Sequence, residues 1–315
     1  MKLLITGAAG FVGSELVSIA LSRGYEVVAM FRVNVISNWE NHENLEVMKC
    51  DLSMDEIPPL HTFKIDCVVH LAADMHPDKN GPIEKLLLGT RKLISAMQQA
   101  GIKKLIGVSS ISVLEYQNLK PLTNIDENLS VASQFNQMSR YSEFKVMQEA
   151  VFRSFSGHGA NWIILRPGLI YNQNIISAAH AGIIKSSYQI LIDHIGEVPI
   201  VELGSVIDAI LVSTMLDSCN QQVIHLVDDN LPKQTQYQVL LRQVGQIKSG
   251  GIHVSWRIME MLIGNFLYPM AKLLRIVDCL PEIFLPQAFA LRLKPFRFSN
   301  HKAKLLLQWK AKSLP

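Results

Sequence analysis

The 315-residue sequence has only four cysteines, Cys50, Cys67, Cys219 and Cys279, and no two of them stand in a C-x-x-C spacing. That argues against a zinc ribbon and a disulfide framework, and it fits a reducing, cytoplasmic setting. Ten histidines fall into no H-E-x-x-H or comparable ligand pattern, so no catalytic metal is expected. Net charge is nearly absent: 30 Lys+Arg against 27 Asp+Glu leave +3, too weak a field to argue for a nucleic-acid partner. A small-molecule substrate becomes the default. Long clean apolar runs are missing too. The opening Met1-Lys2-Leu3-Leu4-Ile5 stops at Thr6-Gly7, short of a secretory core, and reads as a first strand. Segment 256–293 is unusually apolar, but Arg257, Glu260, Lys272, Arg275, Asp278 and its prolines keep it below the about 20 clean residues of a membrane span. It reads as one or two amphipathic helices covering a lobe or forming a homodimer contact. Membrane-surface contact, or a lid over a greasy substrate, is the alternative.

What is present is a chain 49% hydrophobic and 18% charged, with no internal repeat. β-rich runs at 3–6, 26–31, 45–49, 66–71, 104–109 and 162–166 alternate with helical stretches at 11–23, 83–100 and 137–155. Gly24 and Gly101 stand as C-terminal caps of the first two helices. This alternation predicts an α/β fold: a Rossmann doubly wound parallel sheet over 1–167, followed by a smaller, mostly helical substrate lobe over 168–315. A strand near 223–227 is expected to return to the main sheet, so the two parts interleave.

The run Thr6-Gly7-Ala8-Ala9-Gly10-Phe11-Val12-Gly13 follows a strand and opens a helix. A pyrophosphate can rest on the N–H groups of a helix start only if the backbone comes close, which requires residues without a Cβ at the turn. A second strand ending at Phe31 supplies the βαβ context. Its tip carries Arg32 where an acidic residue would select the unphosphorylated ribose, so NADP(H) is preferred over NAD(H) unless Arg32 is a solvated loop charge. Asp51-Leu52 follows the third strand, where a carboxylate can hold the adenine amino group. Tyr141 and Lys145 lie four apart on a predicted helix and therefore on one face. A phenol with a pKa of about 10 is a poor base at neutral pH, and a nearby ammonium lowers it, so that Tyr141 can exchange a proton with a carbonyl or alcohol oxygen. Ser109-Ser110 closes the fifth strand, and the Ser110 hydroxyl can hydrogen-bond the reacting oxygen. His70 and His76 lie near these motifs and read as structural.

Together these motifs resemble the extended short-chain dehydrogenase/reductases, the family of nucleotide-sugar epimerases, 3β-hydroxysteroid dehydrogenases and dihydroflavonol reductases. His70-Leu71-Ala72-Ala73, Gly89-Thr90, Arg166-Pro167-Gly168 and the closing Phe298-Ser299, Lys302-Ala303 and Leu307-Gln308-Trp309 extend the similarity over nearly the whole length. The resemblance implies Tyr141 as general acid/base, Lys145 on the nicotinamide ribose, and Ser110 orienting the substrate oxygen. It further implies Gly7, Gly10, Phe11, Val12 and Gly13 at the pyrophosphate, Leu71, Ala72 and Ala73 lining the cofactor, and Pro167 and Leu169 near the carboxamide. Ile111-Ser112 stand where sugar dehydratases carry Asp-Glu after the active-site hydroxyl, which argues against dehydration. Leu86, Tyr171-Asn172-Gln173 and Val201-Glu202-Leu203-Gly204-Ser205 replace residues usual at diphosphate-sugar sites. The expected activity is ketone reduction on a keto-sugar, a sterol-like ketone or a lipid or natural-product intermediate. An epimerase with tightly bound NAD and a non-catalytic NADP sensor are the rivals.

Overall fold

A computed structural model describes residues 1–33, 42–73, 81–155, 159–185, 187–216 and 220–311. His76 and Cys219 lie outside the described residues. The first half runs β1 (Lys2–Thr6), α1 (Phe11–Ser22), β2 (Glu26–Phe31), β3 (Leu45–Lys49), β4 (Cys67–His70), α2 (Ile83–Gln99), β5 (Lys104–Val108), β6 (Asn124–Ile125), α3 (Arg140–Ser154) and β7 (Asn161–Pro167). It continues through β8 (Leu169–Tyr171), β9 (Gly182–Ile184), β10 (Gln189–Asp193), β11 (Ile200–Glu202), α4 (Leu203–Met215), β12 (Gln222–Leu226), α5 (Gln234–Gln243) and β13 (Ile252–Ser255). The last elements are α6 (Trp256–Leu262), a π turn (Ile263–Leu267), α7 (Tyr268–Leu273), α8 (Pro286–Leu293), β14 (Arg297–Phe298) and α9 (His301–Leu307).

Seven parallel strands form the main sheet in the order β12-β7-β5-β4-β1-β2-β3. The inner strands β4, β5 and β7 are apolar on both faces because helices cover both, which is why they read as continuous hydrophobic runs rather than alternating ones. One face packs against α1, α4 and α9, around Leu16, Val17, Val206, Ile210 and Leu307. The other packs against α2 and α3, around Leu87, Leu93, Phe144 and Phe152. At the margin, β3 exposes Glu46, Val47 and Lys49, and charge at an exposed edge discourages pairing with another chain. The chain reverses direction across the sheet between β1 and β4, and ligands of such sheets gather at the carboxyl ends of the strands on either side of that point.

One expectation needs correction. The third helix begins at Arg140 rather than at 137, because Ser139 caps it by accepting from the Ser142 N–H at 3.1 Å, while 135–137 form a separate 3₁₀ turn. The C-terminal lobe carries the expected helices. It also carries a three-stranded sheet ordered β13-β10-β9 and the parallel pair β11-β8, which close a small core around Tyr171, Leu191, Val198 and Tyr237.

Gly13 lies in the first turn of α1 directly over the Gly7 carbonyl. A Cβ there would fall 2.2 Å from the Gly7 oxygen and 2.8 Å from the Ala8 Cα, both backbone atoms that cannot swing aside. Gly13→Ala should therefore lower unfolding stability by about 1–3 kcal/mol, as overpacking does. Urea denaturation measures it, and an unchanged midpoint would show that the turn yields.

Candidate active site

The site grows from the ends of β1, β4 and β5. Register places Thr6 beside His70, and His70 beside Gly107, so three strand ends lie side by side. After β1 the backbone turns at Gly7, whose φ of +68° only glycine adopts readily, and a Cβ there would sit 2.9 Å from the Ala72 nitrogen. The turn thus needs glycine for its conformation and for its closeness to the strand after β4. The Gly10 carbonyl accepts from the Ser14 N–H at 2.9 Å, and no side chain caps α1 or places an acid in its first turn. A helix start without its own anionic cap, reached through glycines with no Cβ in the way, fits a pyrophosphate. Phe11 is 38% exposed at that helix start.

At the rim, Arg32 is exposed just past β2. Asp51 follows β3 and uses Oδ1 to close a turn, accepting from the Ser53 N–H at 2.9 Å and the Ser53 hydroxyl at 2.6 Å. These bonds, outweighing partial burial and helped by Arg32, hold its carboxyl below the usual range. Leu52 packs beneath it against Gly89 of α2, where a Cβ would come within 2.8 Å of the leucine Cβ. Leu71, Ala72 and Ala73 are half-buried after β4, and the Ala72 N–H donates to the Thr6 hydroxyl at 3.3 Å. Pro167 ends β7. Beyond it, the Leu169 N–H donates to the Pro199 carbonyl at 2.6 Å.

Tyr141 and Lys145 lie in the first two turns of α3. The Lys145 ammonium is buried, donating to the Val108 carbonyl at 2.8 Å and to Gln148 Oε1 at 2.9 Å. Val108 ends β5, so this lysine is fastened to the strand end that leads into Ser109 and Ser110. Ser110 caps the following 3₁₀ turn (Ile111–Val113), its Oγ accepting from the Ser112 N–H at 3.1 Å, and α3 packs on that turn.

The electrostatics correct one expectation. Burial pushes the Tyr141 phenol up to about 12, and no cation offsets it. Burial also brings the Lys145 ammonium down to about 7, against a raising influence from Glu149, and its bonds run to Val108 and Gln148. The lysine thus titrates near neutrality while the phenol keeps its proton.

Gln148 is the residue that sequence reasoning missed. Besides accepting from Lys145, its amide donates to the Ala72 carbonyl at 3.2 Å and the Thr90 hydroxyl at 3.1 Å, and lies 3.3 Å from His70 Nε2. His70 in turn bonds the Thr6 hydroxyl through Nδ1 at 2.6 Å and the Thr90 hydroxyl through Nε2 at 3.0 Å. Burial, with the Lys145 charge, holds the imidazole down to about 3, so His70 is a neutral structural link. The signal was available in the spacing: 141, 145 and 148 form one i, i+4, i+7 stripe. Beneath it, Glu149 and Arg166 form a buried bidentate pair at 2.8 and 2.7 Å that fixes α3 on β7. Among the described residues no group of His, Cys, Asp and Glu could hold a metal. A cavity of about 300 Å³ opens beside the start of α3, lined by Met138, Arg140 and Glu143 on one side and Val277, Leu280 and Leu285 on the other.

A doubly wound parallel sheet, a glycine turn after β1 and a lysine fastened to the β5 end define a Rossmann-type fold with its candidate site at the strand ends. The chain belongs to the NAD dependent epimerase/dehydratase family, whose description residues 3–206 match. It is 28% identical over 214 residues to the 3-beta-hydroxysteroid dehydrogenase of Mycolicibacterium neoaurum, covering 61% of this chain and 57% of that protein. Cinnamoyl-CoA reductase 1 of Petunia hybrida is 26% identical over 192 residues, covering 57% of each. The chain thus spans little more than half the length of the curated relatives it matches. In fold it is similar to UDP-glucuronic acid 4-epimerase from Bacillus cereus, solved in complex with NAD, with a TM-score of 0.69 at 18% identity over 100% of this chain and 94% of that one.

Lys145 should titrate near pH 7 in the dinucleotide-free protein, with its ammonium present below that pH and lost above it. Gln148→Leu, which removes an acceptor of the charged form, should move the midpoint further down. Lysine-selective NMR reads both, and a midpoint among the surface lysines near about 10 would contradict the burial.

Proposed function

We propose that the protein is an NADP(H)-preferring cytoplasmic reductase of a ketone on a lipophilic substrate, with Tyr141 as proton donor. The observation that carries this reading is the pairing of a phenol kept protonated by burial with a lysine ammonium fastened at the β5 end. A protonated phenol is the form that reduction uses, because the carbonyl oxygen must gain a proton as its carbon gains a hydride. Oxidation would need the phenolate, which burial disfavours.

When bound, the dinucleotide supplies that hydride. Gly7, Gly10, Phe11, Val12 and Gly13 would hold its pyrophosphate, Arg32 the 2′-phosphate, and Asp51 and Leu52 the adenine end. Leu71, Ala72, Ala73, Pro167 and Leu169 would line the nicotinamide end. An ammonium has three donors, and among the described residues Val108 and Gln148 take two of the Lys145 set, leaving one for a ribose hydroxyl. Ser110 orients the substrate oxygen toward Tyr141. The likeness to a hydroxysteroid dehydrogenase and a cinnamoyl-CoA reductase supports carbonyl chemistry, and the apolar C-terminal lobe supports a greasy substrate.

Tyr141→Phe should cut kcat for ketone reduction by about 10²–10⁴ while dinucleotide affinity holds. Arg32→Ala should weaken NADP(H) about tenfold or more and leave NAD(H) unchanged, as loss of a charge-assisted contact does. Fluorescence titration of both cofactors and NADPH absorbance with a panel of ketones provide the readouts. Co-purified NAD that turns over without consumption would mark an epimerase instead, and full signalling by the Tyr141→Phe variant would mark a sensor.

A further inference from the structure

The helical rod 256–273 is apolar on both its inward and its outward side. A surface helix turns its apolar stripe inward and its polar face to water. Here a narrow stripe of Trp256, Ile263 and Tyr268 packs on Phe289, Leu293, Leu285 and Ala288. The outward face presents Ile258, Met261, Phe266, Met270, Leu273 and Leu274, each between 51% and 79% exposed. The π turn and Pro269 leave the rod continuous over α6 and α7, about 27 Å at 1.5 Å per residue.

Charge on this rod is one-sided. Its exposed basic side chains are Arg257 and Lys272, with Arg275 just past its end. Glu260 is turned back onto Lys294 at 2.8 Å, and Asp278, past the end, lines the cavity beside α3. A second copy laid on this face would bring like charges together. Apolar side chains rimmed by basic ones match the headgroup and acyl boundary of an anionic bilayer. No described helix is long and apolar enough to cross a membrane, so the match is to a rod lying in the surface plane.

We propose that residues 256–276 dock the protein on the surface of anionic phospholipid membranes, with the apolar face in the interface and Arg257, Lys272 and Arg275 at the headgroups. This does not depend on the reductase reading. Co-sedimentation of the full chain with vesicles of phosphatidylcholine alone, or mixed with phosphatidylglycerol, tests it. The chain should bind the mixed vesicles about tenfold or more tightly than the neutral ones, and less as salt rises. Phe266→Glu with Leu273→Glu should abolish sedimentation without changing thermal stability, both positions being exposed, and Lys272→Glu with Arg275→Glu should erase the preference for phosphatidylglycerol. Wild-type chain left in the supernatant with both vesicles would overturn the proposal. A wild-type dimer that Phe266→Glu with Leu273→Glu dissociates would overturn it too, assigning the face to a second copy.

Discussion

The structure depends on a chain of buried hydrogen bonds that runs from Thr6 through His70, Thr90 and Gln148 to Lys145 and ends on the Val108 carbonyl. It crosses five elements, β1, β4, β5, α2 and α3, at the carboxyl edge of the sheet. Burying this many polar groups is tolerable only because each has a partner, and an incomplete network there would cost more than an apolar core. It ties the ends of β1, β4 and β5 to α2 and α3 at the edge where a ligand would sit. The neutral His70 is essential to that: charged, it would repel Lys145 across the network.

The same network sets the electrostatics. Lysine and tyrosine share a helix face, but the lysine is drawn inward to Val108 and Gln148 while partial burial raises the phenol. Proximity in sequence therefore does not translate into charge stabilisation, since each group responds to its own solvation first. The Arg166–Glu149 pair beneath plays a different part. There burial raises the carboxyl, but two short bonds and the charge of Arg166 overcome it, and the glutamate stays ionised where it anchors α3.

Much of the fold was legible because period and punctuation agree. Strands 26–31 and 45–49 and the start of the first helix coincide with the apolar runs and the glycines that bound them, and the parallel sheet follows from their alternation with helices. Boundaries set by a single cap were less visible: Ser139 competes with several polar neighbours, and only the fold shows which one closes the helix start. Gln148 escaped notice because an amide on a helix is ordinarily a solvated side chain, and nothing local reveals that β4 and α2 converge on it. The direction of the tyrosine shift was missed for the same reason, since burial is a property of the whole packing. The apolar character of 256–293 was plain, but which side of its first part faces water is decided by Phe289 and Leu293, about 26 to 37 residues beyond the Ile263 and Trp256 they cover.

The most direct test is a crystal structure of the protein with NADP⁺ bound. The account predicts the pyrophosphate on the N–H groups of the 7–13 turn, the 2′-phosphate against Arg32, and the Lys145 ammonium on the nicotinamide ribose with its bonds to Val108 and Gln148 kept. A dinucleotide bound away from the ends of β1, β4 and β5, or a Lys145 side chain turned out of the crevice, would contradict it.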